Sequence, residues 1–131
     1  MTLTAVCHCG ATRIQMDGPP GSAKTCNCTY CQRVGAIWGY YPPEAIRITA
    51  TEDRVYSPSG MNAHHFCGRC GSNTHGDSPD WASAYDHNGQ LKPGMQEGVP
   101  DVRIAAVNLN MVDGLDLSTL KIEAMDGRNN W

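Results

Sequence analysis

A mainly β protein is predicted by three features of this sequence. Segments such as Thr12-Arg13-Ile14-Gln15-Met16 and Arg47-Ile48-Thr49 alternate with period two, few stretches carry a helical period, and GPPG (18–21), YPPE (41–44), SPSG (57–60) and VDG (112–114) interrupt the chain at short intervals. The first expected strands, 2–6 (TLTAV) and 11–16 (ATRIQM), flank CHCG, and the second stops at GPPG. Residues 35–41 (GAIWGYY) run into YPPE, and 45–50 (AIRITA) and 53–56 (DRVY) follow before SPSG. The remaining expected strands are 72–75 (SNTH), 102–109 (VRIAAVNL), which ends near VDG, and 119–124 (TLKIEA). From Asp77 to Asp101, twenty-five residues with three Pro and three Gly show no period, which suits a partly ordered flap over a site.

The 131 residues fit one domain spanning 1–131, with enough chain to bury a core. The net charge of −3 and the scattered ten Lys and Arg offer no stripe that could track a phosphate backbone, so nucleic acid is not an expected partner. MTLTAVCHCG has no basic and apolar leader, and the longest apolar run is the four residues Ile104 to Val107. A cytoplasmic protein without a membrane segment is expected. Nothing in the sequence determines an oligomeric state.

Seven cysteines are an odd number for a disulfide framework, and their grouping favours metal. They fall as Cys7 and Cys9, then Cys26, Cys28 and Cys31, then Cys67 and Cys70. Residues one or two apart bridge each other poorly but present two sulfurs to one cation readily. CHCG (7–10) and CGRCG (67–71) share a glycine after the last thiol, suited to a tight turn whose N–H groups face sulfur. Cys7, Cys9, Cys67 and Cys70 therefore make a closed, structural four-thiolate set. CNCTYC (26–31) is left with three sulfurs. Either it keeps an open position for water or substrate, as catalytic zinc does, or one of His8, His64, His65, His75 and His87 closes it as a second structural site.

The order CHCG (7–10), CNCTYCQR (26–33) and FCGRCGS (66–72) resembles the glutathione-dependent formaldehyde-activating enzymes, the family shared with centromere protein V. The resemblance spans residues 5 to 76 and extends weakly to Leu109. It implies a β-tent of small antiparallel sheets pinned by the four-cysteine zinc, with a second, functional zinc on Cys26, Cys28 and Cys31, two Zn²⁺ per chain. It also implies a carbon–sulfur lyase-type reaction, the addition of a thiol such as glutathione to formaldehyde or another aldehyde to give S-hydroxymethylglutathione or its analogue.

Coordination ionises a thiol whose free pKa is about 8.5, so a substrate thiol suits an open position. Three thiolates already exceed the charge of Zn²⁺, which weakens the ion as a Lewis acid toward a carbonyl. A non-catalytic thiol carrier is the alternative, and a zinc-stabilised interaction module is a further one, although the chain has neither the basic tail nor the apolar stripe that would favour it. Arg33, two residues past Cys31, and Lys24, two before Cys26, are candidates to offset the charge and meet a substrate carboxylate, against a plain reading as solvated surface cations. Arg33 is the one assigned to the site beside the three cysteines. Trp38, Tyr40 and Tyr41 are candidate pocket walls, with Trp38 read as core. His75 and His87 are candidate proton carriers, against surface or structurally bonded roles.

Overall fold

The computed structural model describes residues 1–130. Ten strands follow in chain order: β1 Leu3–Val6, β2 Thr12–Met16, β3 Ser22–Cys26, β4 Trp38–Tyr41, β5 Ile46–Ala50, β6 Asp53–Tyr56, β7 Ala63–Cys67, β8 Asn73–Pro79, β9 Arg103–Asn108 and β10 Ile122–Met125. Helix α1 (Thr29–Val34) separates β3 from β4, and α2 (Gly127–Asn130) follows β10. β1, β2 and β5 form a three-stranded antiparallel sheet. The second sheet has the order β10-β3-β4-β9-β8-β7-β6, antiparallel throughout except for the parallel pair β10 and β3. No helix among the described residues is long and apolar enough to cross a membrane.

Each expected strand coincides with an observed one to within a few residues. Strands 22–26 and 63–67 and helix α1 were not expected. SAKTC and AHHFC place small and polar residues where a half-buried strand usually alternates, because their side chains are used by the sites described below. CysXXCys at the start of α1 reads as ligand spacing and hides a six-residue helix.

In the small sheet the alternation does what the sequence implies: Thr12, Ile14 and Met16 are buried while Arg13 and Gln15 face out. Ile14 and Met16 pack with Ala5 against Ala23, Tyr41, Val107 and Leu109 of the larger sheet and the segment after it. Register then assigns the two faces of that larger sheet. Ala23, Gly39, Val107, His75 and His65 lie opposite one another in a row across β3, β4, β9, β8 and β7. Ala23, Val107 and His75 of this row are buried. The neighbouring row, Ser22, Tyr40, Ala106, Gly76 and His64, points the other way and floors a cavity.

That cavity, of about 740 Å³, has the size of a small-molecule site. Its roof comes from the first half of the long segment after β8, where Trp81–Ser83 form a 3-10 turn and Tyr85 bridges to Leu91. The segment expected as a flap thus lines the cavity with Pro79, Trp81, Tyr85 and His87.

Candidate metal centres and the adjoining cavity

Cys7 and Cys9 sit in the turn between β1 and β2, while Cys67 ends β7 and Cys70 lies in the turn between β7 and β8. Both turns are built alike. Gly10 and Gly71 take φ of 84° and 78°, and their N–H groups donate to the carbonyls of Cys7 and Cys67 at 3.0 and 2.8 Å. The Cys9 sulfur lies 3.8 Å from that of Cys7 and 3.6 Å from that of Cys67. A tetrahedron of sulfurs around zinc at about 2.3 Å has edges of about 3.8 Å; these two edges match it, and all four sulfurs lie within 4.8 Å of one another. The Thr12 N–H donates to Cys7 Sγ at 3.3 Å. The Ser72 hydroxyl, 3.3 Å from Cys70 Sγ, holds that thiol down at about 5. Together the four sulfurs would tie the hairpin of the small sheet to the far part of the large one.

The second cluster is assembled within a short stretch of chain. Cys26 ends β3, Cys28 is the N-cap of α1 and Cys31 lies in its first turn. A sulfur here occupies the place of a capping oxygen: the Cys31 N–H donates to Cys28 Sγ at 3.3 Å, and the Cys28 N–H donates to Cys26 Sγ at 3.4 Å. The Trp38 indole N–H donates to Cys31 Sγ at 3.4 Å. Each sulfur therefore receives a donor that stabilises its ionised form.

Charge, however, cannot accumulate on three adjacent sulfurs without a cation. Burial opposes ionisation of Cys28, but the Cys31 N–H and the neighbouring thiols hold it below its ordinary value. Burial pushes Cys31 up to about 12, and the negative charge of Cys28 and Cys26 adds to this. Cys28 and Cys31 are thus pushed in opposite directions, and a divalent ion would favour the thiolate form of its ligands. The donor set of three soft sulfurs mutually within 4.8 Å fits zinc.

None of the five histidines joins this cluster among the described residues. His65 and His75 belong to a separate group with Asp53. In it His65 Nδ1 is 2.8 Å from Asp53 Oδ2, its Nε2 is 3.5 Å from Asp77 Oδ2, and its ring stacks on His75 at 4.1 Å. Both nitrogens of His65 thus face carboxylates, and one of these, Asp77, also pairs with Arg103. His75 is buried, which pushes it down to about 4, so it stays neutral near pH 7. His87 pairs with Glu123 at 3.2 Å, and His8 lies beside the four-cysteine turn. His64 stacks on Tyr30 of α1 at 3.9 Å in the cavity wall, where burial and His65 lower its pKa. Tyr30 also accepts a hydrogen bond from Asn73 at 2.8 Å, so α1 is fastened to β7 and β8.

Cys26, Cys28 and Cys31 all line the large cavity. Trp38, read from sequence as core, is 4% exposed, yet its indole edge reaches both Cys31 and the cavity. Tyr40 lines the cavity, whereas Tyr41 points to the core and donates to the Gly18 carbonyl at 2.9 Å. Arg33 is exposed, its guanidinium donates to the Thr29 carbonyl of its own helix, and it is not among the lining residues. Lys24, the other cation near the cluster, is buried and lines the cavity. Its signal in the sequence was the two-residue step to Cys26, which acquires meaning only once 22–26 is a strand.

A family description, "Glutathione-dependent formaldehyde-activating enzyme", matches residues 2–98, a span that contains all seven cysteines and most of the cavity wall. This chain belongs to that family. Among solved structures, a crystal structure of a Rhodobacter sphaeroides protein aligns with a TM-score of 0.63 at 21% identity, covering 95% of this chain and 100% of that one. At that identity the likeness shows the fold alone. No curated protein matches the sequence. Three of the seven thiols wall one side of the cavity, most of whose lining falls within the matched span.

Proposed function

We propose that this protein binds a thiol such as glutathione at the Cys26, Cys28 and Cys31 centre and adds it to formaldehyde or another aldehyde, a carbon–sulfur lyase-type reaction. The observation that carries the reading is the convergence of three sulfurs, without a fourth protein ligand among the described residues, on the wall of a cavity large enough for a small molecule. The four-cysteine set fits a structural role, with all its positions filled by the chain. Zinc at the three-cysteine centre would supply one thing, a preference for the ionised form of a thiol in its remaining position.

The chain's own residues do the rest. Trp38 and the N–H groups of Cys28 and Cys31 hold the sulfurs by donating to them. Tyr40, Trp81 and Tyr85 make a largely apolar enclosure that strengthens electrostatic interactions inside it. In the reaction the thiol sulfur forms a bond to the aldehyde carbon, the C=O double bond becomes C–OH, and the thiol's proton ends on that oxygen. The reverse cleaves the carbon–sulfur bond.

A second reading, a thiol carrier that does not turn over, is favoured by one observation: three thiolates outweigh a divalent ion, so the centre suits capture better than carbonyl activation. ¹³C-formaldehyde and glutathione exchange with their adduct spontaneously, and NMR exchange spectroscopy with catalytic amounts of zinc-loaded protein separates the cases. Acceleration that Cys28→Ser abolishes is the expected result. Thiol binding without acceleration leaves the carrier, and neither binding nor acceleration overturns both.

A further inference from the structure

Lys24 is a largely buried side chain that makes no ion pair among the described residues, although the carboxylates of Asp77, Asp80 and Asp86 line the same cavity. It is 9% exposed, and each ion pair among the described residues uses other cations. Its ammonium lies 5.3 Å from the centre of the Tyr40 ring, which attracts a cation but offers no acceptor to its three N–H donors. Buried charges are ordinarily paired.

Its direction is set by β3. Lys24 and Cys26 are two residues apart on one strand, so both face the cavity, about 6.6 Å apart along the chain. Among the described residues, no other lysine and no arginine lines that cavity. A negative group entering beside the three sulfurs has this one lysine to meet, and it must keep clear of Asp80 and Asp86, Asp77 being already paired with Arg103.

We propose that Lys24 is the anion anchor of the cavity, binding a carboxylate of the thiol held at Cys26, Cys28 and Cys31. The substrate class is then thiols that carry a carboxylate a few bonds from sulfur. This rests on the thiol-binding reading above. A role confined to balancing the charge of the cysteines is the competing account, and it differs in one respect: a charge balancer strengthens the binding of every thiolate alike, whereas an anchor distinguishes among thiols.

The probes are 3-mercaptopropionate and its methyl ester, which share a thiol and differ in one charge. Calorimetry on the zinc-loaded protein, with zinc content checked, should show the acid binding about tenfold or more tightly than the ester, the size expected of one hydrogen-bonded charge pair. Lys24→Met should erase the preference by weakening the acid and leaving the ester unchanged, and Lys24→Gln should do the same if the first variant fails to fold. A parent that binds both probes equally overturns the anchor while leaving thiol capture intact. A variant that weakens both equally makes Lys24 a charge balancer and also overturns it. A parent that binds neither probe overturns the thiol-binding reading and the anchor with it.

Discussion

His75 shows how one residue carries a consequence of the sheet register. It lies in the buried row of β8, 4% exposed, with its Nδ1 3.0 Å from the Thr74 hydroxyl, and burial pushes it down to about 4 from an ordinary 6.5. The folded state therefore binds fewer protons than the unfolded chain between those values. Stability is fully present above pH 6.5 and falls as pH drops toward 4, by up to about 3 kcal/mol if the whole shift is realised. Urea titrations at a series of pH values should show this decline, and His75→Gln should be less stable at pH 7 but lose less on acidification. Identical slopes in the two proteins would show that His75 does not titrate as described. His75 was legible in the sequence as a titratable group, but its burial was not, since neutral and charged histidine are the same letter.

Among the elements, β4 is the strand on which the two faces depend. Trp38 and Tyr40 serve the cavity and Tyr41 the core, while Gly39 sits opposite Val107 on the core side. A Cβ at Gly39 would stand 2.6 Å from Leu109 Cδ2 and 3.0 Å from its Cγ, and Leu109 is itself 1% exposed in the core. Gly39→Ala is expected to destabilise the protein by about 1–3 kcal/mol as an overpacked core position, measured as a lower urea midpoint at unchanged slope. A neutral substitution would mean that Leu109 has a second rotamer available. The sequence marked β4 as a strand through its aromatics. It could not show that the glycine between them makes room for a leucine seventy residues later. Strands β3 and β7 escaped notice for a related reason: Cys26, Lys24, His64 and His65 are placed for the sites, so local propensity is weak, and β3 takes one of its two partners, β10, from far along the chain.

At the scale of the whole molecule, the four-cysteine cluster joins the hairpin of one sheet to a turn of the other, whereas the three-cysteine cluster lies within one strand and the helix after it. The two should respond differently to loss of a ligand. Cys70→Ser is expected to cost much of the metal-binding energy that is also folding energy, giving an aggregated or unfolded protein. Cys28→Ser should lose metal at the second centre and keep a cooperative melt, because β3, β4 and their partners hold their places through backbone pairing. Metal analysis and thermal denaturation of both variants test this, and equal melting behaviour would remove the distinction between a structural and a functional centre.

The amino-acid sequence by itself determined the β class, the division of seven cysteines into four and three, and the family, because thiol spacing and period-two alternation are local properties of the chain. Tertiary structure alone decided that three sulfurs share a cavity with Trp38, Tyr40 and His64, and that Lys24 is the largely buried cation beside them. Those outcomes depend on which strands are neighbours and in which register. Backbone pairing between residues far apart in the chain sets both, and no short stretch of the sequence contains that information.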